Sequence, residues 1–423
     1  MRSRKLGLAV VAAATLSLLA AGCSASTPAA KTAPVTLTFW GSYGNGGNST
    51  QQDALNKTLI PAFEKANPGI KVKYTDIAYN SLLQKLTTSA AGGQLPDLVR
   101  SDIGWVPEFA QLGVFEPLSK DMPGYKALAA KDYPGNLATN LYKGKYYGLP
   151  LDTNTRVLIT SQAALAKAGL TTPPTTFAGL AKMADKLKGT GTALFADSGL
   201  QAWNISPWIW SGGGEVTNAA ETKATGYLNS ATNVATIQML VNWYKEGLIP
   251  NLITGNAGAV STQDGLPKTD YATIFDGPWM AGIWQGAYPS FQPIYSKIPA
   301  GKGGSVSVVG GEDIVLTASS THKAAAEKFI AFTQTSKFQL AMAKTGQMTV
   351  VPAYAAAQAK IASYYEVYST QLKTAKSRIA SPNQSKIDTV LANALTPAFL
   401  GTTTVKAALD SAATQIDALL AGN

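Results

Sequence analysis

The sequence is poor in the side chains that most often carry metal and nucleophilic chemistry. Its 423 residues contain one cysteine and one histidine, which excludes an internal disulfide and a zinc site built from several thiolates and imidazoles. A single imidazole, at His322, also argues against a histidine-dependent catalytic triad. No GxxxxGK[ST] phosphate loop occurs, and the GNGGN loop at 44–48 lacks the dinucleotide-binding fingerprint. We therefore expect no metal ion, nucleotide or other cofactor.

Arginine is scarce after the N-terminal segment. The rest of the chain contains only Arg100, Arg156 and Arg378, which lie far apart in the sequence. Nucleic-acid-binding surfaces concentrate Arg and Lys on one face, where they meet phosphates. Here the excess of 35 Lys and Arg over 25 Asp and Glu is spread along the chain. We interpret the lysines as solvated surface and expect no nucleic-acid partner.

A long apolar run occurs only near the N-terminus. Basic residues at positions 2–5 precede the apolar stretch 6–20, which is shorter than the ~20 residues that a membrane-spanning helix needs. The stretch ends in Ala-Ala-Gly before Cys23. It resembles the bacterial lipoprotein signal, although Ala20 stands where that family usually has Leu. We predict a signal peptide at 1–23, a lipid on Cys23 and a flexible linker at 24–34; an ordinary signal peptide with an incidental cysteine is the alternative.

The first folded segments alternate between two periodicities. Residues 35–40 alternate as a strand does, and a helical stripe follows that ends at 67–69. Residues 70–74 alternate again, a second helical stretch begins at Ser81, and LPDLV at 95–99 is a third short apolar run. The order strand, helix, strand, helix, strand predicts a mostly parallel sheet with helices on both faces. In such a sheet ligands bind at the loops beyond the carboxyl ends of the strands.

The rest of the chain predicts a second lobe, because about 400 residues exceed what one hydrophobic core usually organises. Residues 146–161 form a β-rich entry to this lobe, and the segments 201–214 and 271–284 are rich in tryptophan. Residues 306–319 alternate as a strand that Gly310 and Gly311 interrupt. The last hundred residues are alanine-rich and predicted to be mostly helical.

Aromatic residues and carboxylates are the residue types that suit a sugar-binding site. Eight tryptophans are present, and a flat indole can cover the apolar face of a pyranose ring at low entropy cost. Ionised Asp and Glu accept hydrogen bonds from adjacent hydroxyls. Large aromatics are also ordinary core residues, and Trp208, which with Trp210 flanks Ile209, fits core packing well.

Several separated motifs share an order with one known family. They are LTFWGSYG, FEKANPGIKV, LPDLVRSD, WVPEFAQLGVFEPL, KYYGLPLDTNTRVLITSQAALAKAGL, FDGPWMAGIW and AAEKFIAFTQT. Together, from about Leu37 to the C-terminus, they resemble the maltose-binding-protein branch of the extracellular sugar-binding proteins of ABC importers. The lipid-anchored start is similar to relatives from Gram-positive bacteria, which tether such proteins to the outer face of the cell membrane.

This resemblance implies an α/β, two-lobe, type II periplasmic-binding-protein-like fold with a ligand cleft between the lobes. Each lobe is expected to be a mostly parallel sheet flanked by helices. Lobe 1 would comprise 35–151 and 311–351, and lobe 2 would comprise 152–310 and 352–423. The chain would cross between the lobes near 152, 310 and 351.

The resemblance also implies the site. The loop after the first strand lines the cleft in such proteins, a carboxylate after PDLV accepts sugar hydroxyls, and aromatics of the second lobe stack on the sugar, with Trp279 the best match. The segment at the second crossing turns polar groups to the ligand. The implied ligand-binding residues are Trp40, Ser42, Tyr43, Asn45, Asp102, Asp152, Arg156, Trp203, Trp208, Trp279, Gly311 and Glu312. Arg156 is also a candidate for structural support.

The expected function is capture of a sugar, an oligosaccharide in our interpretation, by a monomer that delivers it to an ABC permease without breaking a bond. One alternative is a secreted glycoside-active enzyme that uses two of the same carboxylates. Another keeps the fold and binds an anion or peptide. The shortage of arginines in the expected cleft loops argues against phosphate, since bidentate capture of an oxyanion favours Arg.

Overall fold

The computed structural model describes residues 34–44, 49–256 and 258–422. The predicted signal peptide, Cys23, Asn45 and nearly all of the predicted linker lie outside the described residues. The strands are β1 Val35–Gly41, β2 Ile70–Asp76, β3 Leu98–Asp102, β4 Leu141–Tyr142, β5 Lys145–Tyr146, β6 Gly148–Thr155, β7 Val157–Ser161, β8 Ala193–Ala196, β9 Tyr271–Asp276, β10 Pro293–Ser296, β11 Ser307–Leu316 and β12 Ala375–Lys376.

Helices follow or separate most of these strands. They are α1 Ser49–Asp53, α2 Ile60–Ala66, α3 Tyr79–Gly92, α4 Val106–Gln111, α5 Leu118–Asp121, α6 Tyr125–Ala129, α7 Pro134–Ala138, α8 Gln162–Lys167, α9 Phe177–Leu187, α10 Ala202–Gly212, α11 Ala231–Lys245, α12 Thr262–Lys268, α13 Trp279–Ala287, α14 Lys323–Thr333, α15 Ser336–Ala343, α16 Ala355–Ala359, α17 Tyr364–Leu372, α18 Gln384–Phe399 and α19 Val405–Leu420. A π-helical segment, Ala54–Leu59, joins α1 to α2.

The helix predicted after the first strand is confirmed, and its apolar stripe explains its position. Leu55, Leu59 and Phe63 recur every four residues and are all buried. The Phe63 ring lies 5.0 Å, between centroids, from the Phe329 ring of α14 in an edge-on arrangement. The helix ends at Ala66, immediately before the predicted Asn-Pro-Gly stop.

The strands form two main sheets. A six-stranded sheet has the order β12-β11-β3-β1-β2, with β6 also paired to β11, and a four-stranded sheet has the order β10-β7-β9-β8. The chain passes from the first sheet to the second at Arg156, between β6 and β7. It returns to the first sheet on β11. The four apolar clusters respect the same division, because two draw on residues 37–151 and 314–342 and two on residues 157–308 and 348–420.

The α/β fold class is confirmed, and the expectation of a mostly parallel sheet holds for the six-stranded sheet but is wrong for the four-stranded one. β1 pairs in parallel with β2 and β3, and β11 pairs in parallel with β12, whereas β11 pairs antiparallel with β3 and β6. In the four-stranded sheet only β8 and β9 are parallel. The strand, helix, strand order predicts the parallel part. The antiparallel pairs are long-range, and local periodicity carries no information about them.

β11 is continuous across Gly310 and Gly311, so the predicted interruption is wrong. Both residues pair with β6, at Asn154 and Thr153. Glycine is needed here for space: a Cβ on Gly311, whose φ is +140°, would lie 2.5 Å from the Asp152 carbonyl oxygen. The two glycines therefore let β11 approach β6 closely instead of ending the strand.

None of the helices in these three ranges combines the length and the apolarity that a bilayer crossing requires.

Candidate functional site

Three carboxylates form a row across three neighbouring strands. Glu312 on β11 is paired with Asp102 on β3 at one side and with Asp152 on β6 at the other. Asp102 was expected in the loop after its strand, but it is the last residue of β3. Residues opposite each other in a ladder point to the same face of a sheet. The ladder thus brings together three residues that lie up to 210 positions apart in the sequence.

Arg100 holds the middle of this row. Its Nη2 lies 2.9 Å from Glu312 Oε2 and 3.6 Å from Asp152 Oδ2. Its Nη1 donates a hydrogen bond of 3.0 Å to Ser42 Oγ, and its guanidinium carbon lies 4.5 Å from the centroid of the Tyr43 ring. All five side chains are largely buried, so Ser42 and Tyr43 act here as supports of the arginine.

Glu312 and Asp152 share a single cation. Burial raises the pKa of Glu312 well above its usual range, and the neighbouring Asp152 carboxylate raises it further, although Arg100 opposes both effects. Burial also raises the pKa of the Tyr43 phenol, so that group stays neutral. Two carboxylates beside one guanidinium favour retention of one proton by the pair.

Asp102 is fully engaged by its own chain. Its Oδ1 accepts hydrogen bonds from the Gly104 backbone N–H at 2.7 Å and from Arg378 Nη2 at 2.6 Å, and its Oδ2 accepts one from the Tyr79 hydroxyl at 2.7 Å. The Tyr79 ring packs against Trp105, with centroids 5.0 Å apart. Asp102 was our first choice as an acceptor for sugar hydroxyls. In the structure Asp102 also forms an ion pair with Arg378.

Two indoles lie beside β11, the middle strand of the row. The centroids of Trp203, on α10, and Trp279, at the start of α13, are 6.2 Å apart, with an angle of 30° between the rings. Both side chains are half-buried. The Trp203 ring lies against Gly310, because a Cβ on that glycine would fall 2.5 Å from Trp203 Cζ3. Gly310 precedes Glu312 by two residues on β11, so the indole pair adjoins the carboxylate row.

Arg156 contacts Trp203 of this indole pair. Its Nη2 donates to both oxygens of Asp197, at 2.8 and 2.9 Å, and its Nη1 donates to the Trp203 carbonyl at 3.1 Å. Its guanidinium carbon lies 5.6 Å from the Trp203 ring. Because the residue is buried and its charge is balanced, Arg156 is a structural support, which is the second of the two roles considered for it.

Asp276 is the last residue of β9 and precedes Trp279, the first residue of α13, by three positions. Its Oδ1 accepts the Gly277 backbone N–H at 2.8 Å. Burial raises the pKa of this carboxyl to about 6, and Arg156 opposes the rise. The carboxylate and the glycine together fix the turn from which the Trp279 side chain projects.

The assignment of Trp208 to the ligand needs correction, because this residue belongs to the core. Its side chain is 1% exposed. Its ring stacks on Phe275 at 4.7 Å and contacts Phe195 edge-on at 5.0 Å. Such an environment leaves no face of the indole for a sugar.

Trp40 is the other predicted residue that lies away from the row. It packs against the apolar cluster that contains Leu82 and Leu86 of α3, and the Lys85 ammonium lies 4.6 Å from its ring centroid. Asn45, as stated, lies outside the described residues. The other predicted residues lie on or near the neighbouring strands β6 and β11. They are Ser42, Tyr43, Asp102, Asp152, Arg156, Trp203, Trp279, Gly311 and Glu312.

Sequence reasoning named Arg156 but missed the other two arginines of the site, Arg100 and Arg378. Arg100, Arg156 and Arg378 are the only arginines after residue 23, and each is buried and paired with a carboxylate at this site. Their scarcity was itself a signal, since a chain that uses lysine for its surface reserves Arg for buried ion pairs. Asn154, which faces Gly310, was also missed. In the three described ranges no group of three or more His, Cys, Asp and Glu is arranged to hold a metal ion.

Two relatives resemble the chain over most of its length. One is named "Uncharacterized lipoprotein in oleD 5′ region" and comes from Streptomyces antibioticus; it is 30% identical over 336 residues, which cover 76% of this chain and 71% of that protein. Another, a multiple sugar-binding protein of Streptococcus mutans, is 24% identical and is matched over 79% of each chain.

A solved structure shares the fold. The GacH receptor of Streptomyces glaucescens, determined without ligand and in complex with acarbose and an acarbose homolog, superimposes with a TM-score of 0.81 at 20% identity. The match covers 91% of this chain and 98% of that receptor. The family described as bacterial extracellular solute-binding protein matches residues 46–340. With that match over more than half of its length, the chain belongs to the bacterial extracellular solute-binding protein family.

Proposed function

We propose that this protein is the carbohydrate-binding component of an ABC import system. One observation carries the proposal: the paired indoles of Trp203 and Trp279 adjoin buried carboxylates at the strands that connect the two sheets. Stacking surfaces beside planar acceptors are what a pyranose ring requires. The sugar-binding name of the Streptococcus mutans relative and the acarbose complex of the GacH receptor support the same ligand class.

In this proposal the sugar stacks its apolar face on the indole pair and donates hydroxyl hydrogen bonds to acceptors on β6 and β11. Asp152 Oδ1 and Oδ2 and Asn154 Oδ1 are buried and accept no hydrogen bond from any described residue. Such acceptors carry a cost of about 1–3 kcal/mol each until a donor arrives. A bound polyol supplies these donors, and that gain contributes to affinity.

The chain forms two lobes in this proposal, with lobe 1 at 35–151 and 311–351 and lobe 2 at 152–310 and 352–423. Strands β6 and β11 of the six-stranded sheet extend across this boundary, and β12 of that sheet falls in lobe 2. The separation of the apolar clusters between the two sets of strands supports this division. Contacts from both lobes with one sugar would favour a hinge-closed form, because a ligand shifts an equilibrium toward the state that it binds better. The closed form would then dock on a membrane permease.

We further propose that the protein is a monomer held at the outer face of the cell membrane by a lipid on Cys23. The lipoprotein name of the Streptomyces antibioticus relative supports the anchor. No bond of the sugar is broken in this proposal. The carboxylates that an enzyme would use, Asp102, Asp152 and Glu312, each lie within 4 Å of an arginine of their own chain, which suits binding better than proton transfer.

Calorimetry of the purified protein, without its first 23 residues, against a panel of neutral mono- and oligosaccharides tests the proposal. We expect saturable binding of at least one sugar, a raised melting temperature in its presence and no product on prolonged incubation. Turnover of an oligosaccharide would overturn the binding function in favour of the enzyme, and absence of binding to any carbohydrate would overturn the choice of ligand.

The variant Trp279→Ala should weaken binding of that sugar by about 2 kcal/mol, because the stacking surface is lost. Trp279→Phe is the matched control, since it keeps an aromatic face and should retain most of the affinity. If Trp279→Ala leaves affinity unchanged and only lowers the melting temperature, the indole is a core residue.

A further inference from the structure

The carboxylate row has more acids than arginines. Asp102 is paired with Arg378, but Asp152 and Glu312 both depend on Arg100. With all of these groups ionised, the row carries one uncompensated negative charge. Asp152 is 4% exposed, so water screens this charge poorly. A further positive charge, from a proton or from a ligand, is therefore needed to neutralise the row.

The other titratable groups that face the pair do not supply this charge. They are Tyr43 beyond β1, Asp102 on β3, Tyr79 on α3 and Asp313 on β11. All of them are either neutral or negative. In the absence of a ligand a proton on Glu312 completes the balance, which agrees with the raised pKa of that group. A proton is the smallest cation that can do so, and a ligand can replace it.

We propose that the Asp152–Glu312 pair receives a basic nitrogen of the sugar, so that the site prefers amino sugars to their neutral forms and rejects uronic acids. This inference rests on the proposed carbohydrate-binding function and specifies its substrate class. An ammonium group brings one positive charge to Asp152, Glu312 and Arg100 and displaces one proton to solvent. The net charge of the four groups is then zero.

Four unpaired atoms around the pair are acceptors, and two, the Arg100 Nε and the Tyr43 hydroxyl, are donors. Asp152 Oδ1 and Oδ2, Asn154 Oδ1 and Glu312 Oε2 are buried and accept no hydrogen bond from the residues that the structure describes, although Glu312 Oε2 lies in ion-pair contact with Arg100. A sugar hydroxyl brings one donor to such a group, whereas an ammonium brings three together with its charge. Charge-assisted hydrogen bonds are the stronger ones. The arrangement thus rewards an amine more than a hydroxyl at the same position.

A sugar carboxylate would find no unpaired arginine in the row. Arg100 and Arg378, the arginines of the row, are already paired with acids of their own chain. A uronic acid would add a second uncompensated negative charge at a buried place, and like charges there disfavour each other strongly. The same geometry that favours the amine therefore excludes the acid.

The test compares matched forms of one sugar by calorimetry on the full mature protein. The probes are glucose, galactose and mannose with their 2-amino and uronic acid forms, and the β-1,4 trisaccharides of glucose, glucosamine and glucuronate. We expect at least one amino form to bind about tenfold more tightly than its neutral form, and the uronic form to bind most weakly.

Proton release gives a second and independent readout on the unmodified protein. Calorimetry of the tightest amino form in buffers of different ionisation enthalpy should show release of about one proton, whereas the neutral form should show none. Amino-sugar binding without proton release would overturn the exchange of an ammonium for the shared proton.

The variant Asp152→Asn removes one charge from the pair and nearly preserves its shape. We expect the ratio of the affinities for the amino and neutral forms to fall to about one and the proton release to disappear, whatever the change in affinity for the neutral form. Glu312→Gln should act in the same direction. Asp185→Asn, at an exposed position of α9, is the control and should leave the preference unchanged. Melting curves check that each variant is folded.

The outcomes separate the two proposals. If neutral sugars bind and no amino form binds more tightly than its neutral form, the inference is overturned and the proposed function stands. The same holds if a uronic form binds as well as the neutral one, or if only neutral sugars from the wider panel bind. If no carbohydrate binds, the proposed function is overturned and the inference with it.

Discussion

Arg378 and Asp102 form a buried ion pair that ties the segment after β12 to the end of β3. Arg378 Nη2 lies 2.6 Å from Asp102 Oδ1, and the two side chains are 8% and 10% exposed. Nearby, the Ser385 hydroxyl of α18 donates a hydrogen bond of 2.8 Å to Glu108 of α4. These two contacts thus join the C-terminal helical region to β3 and α4, next to Asp102 of the carboxylate row.

Removal of the arginine should be costly. Arg378→Met leaves the Asp102 carboxylate buried without its cation, and breaking a buried pair in this way costs about 3 kcal/mol or more. We expect a loss of this size in the free energy of unfolding, measured by urea denaturation. Asp102→Asn combined with Arg378→Met should recover part of the loss, because no unpaired charge remains in the double variant.

Lys406→Met provides the matched control. Lys406 pairs with Asp410 on α19, but the two side chains are 58% and 42% exposed, and surface pairs of this kind contribute at most about 1 kcal/mol. Equal effects of Arg378→Met and Lys406→Met would contradict a stabilising role for the buried pair.

Trp203 and Trp208 lie five residues apart on α10 and should respond to substitution in opposite ways. Trp208 packs among Phe195 and Phe275, so Trp208→Ala should lower the free energy of unfolding by about 3–5 kcal/mol through the cavity that it leaves. Trp203 is half-buried beside Trp279. Trp203→Ala should weaken sugar binding by about 2 kcal/mol and cost less stability.

Denaturation and calorimetry on both variants separate these effects. Affinity is measured on the folded protein at a temperature well below the melting point of the less stable variant. A reversed result, with affinity lost in Trp208→Ala and retained in Trp203→Ala, would mean that the wrong indole has been assigned to the sugar.

The family, the α/β fold class and most early elements could be predicted from the sequence, because they depend on local periodicity and on the order of motifs. The helix with Leu55, Leu59 and Phe63 and the alternating strand β2 are examples. Trp208 could also have been excluded: residues five apart on a helix differ by about 140° around its axis, so Trp203 and Trp208 cannot both face the same ligand.

The composition of the carboxylate row could not be predicted. Glu312 meets Asp102 and Asp152 only because β11 lies between β3 and β6, and no local pattern specifies that insertion or its register. The same pairing explains why Gly310 and Gly311 do not end β11. The ladder hydrogen bonds to β6 hold the strand where isolated glycines would weaken it.

Gly310 should be sensitive to the addition of a single methyl group. A Cβ there would lie 2.2 Å from Asn154 Oδ1 and 2.5 Å from Trp203 Cζ3, so Gly310→Ala must displace both side chains. We expect a weaker affinity for sugar and a changed tryptophan fluorescence spectrum, together with a loss of about 1–3 kcal/mol in stability from overpacking.

Gly286→Ala is the control for this substitution. Gly286 lies in α13, and a Cβ at that position would contact nothing within 4 Å. Alanine is the better helix former, so this variant should be as stable as the parent or more stable, by up to about 1 kcal/mol. Unchanged fluorescence and affinity in Gly310→Ala would show that Trp203 does not depend on the contact with β11.

Asp132, between α6 and α7, should make the stability of the protein fall as the pH rises. The side chain is buried, and neither carboxylate oxygen accepts a hydrogen bond from a described residue. Burial raises the pKa of this carboxyl to about 8, although Lys131 opposes the rise. Between the unfolded pKa of about 4 and this value the folded state binds more protons than the unfolded state, so stability is fully present at acid pH and is lost as the pH rises toward 8.

Asp132→Asn cannot ionise and should remove this dependence. Relative to the parent, its melting temperature should be nearly unchanged at about pH 3, below the unfolded pKa, and higher at about pH 9, where the parent must bury a charge at a cost on the order of a few kcal/mol. Asp121→Asn, at an exposed position of α5, should leave the pH profile of the parent intact. Parallel melting curves of the parent and of Asp132→Asn across this range would contradict the assignment, because a carboxylate that ionises freely at neutral pH has no such cost to remove.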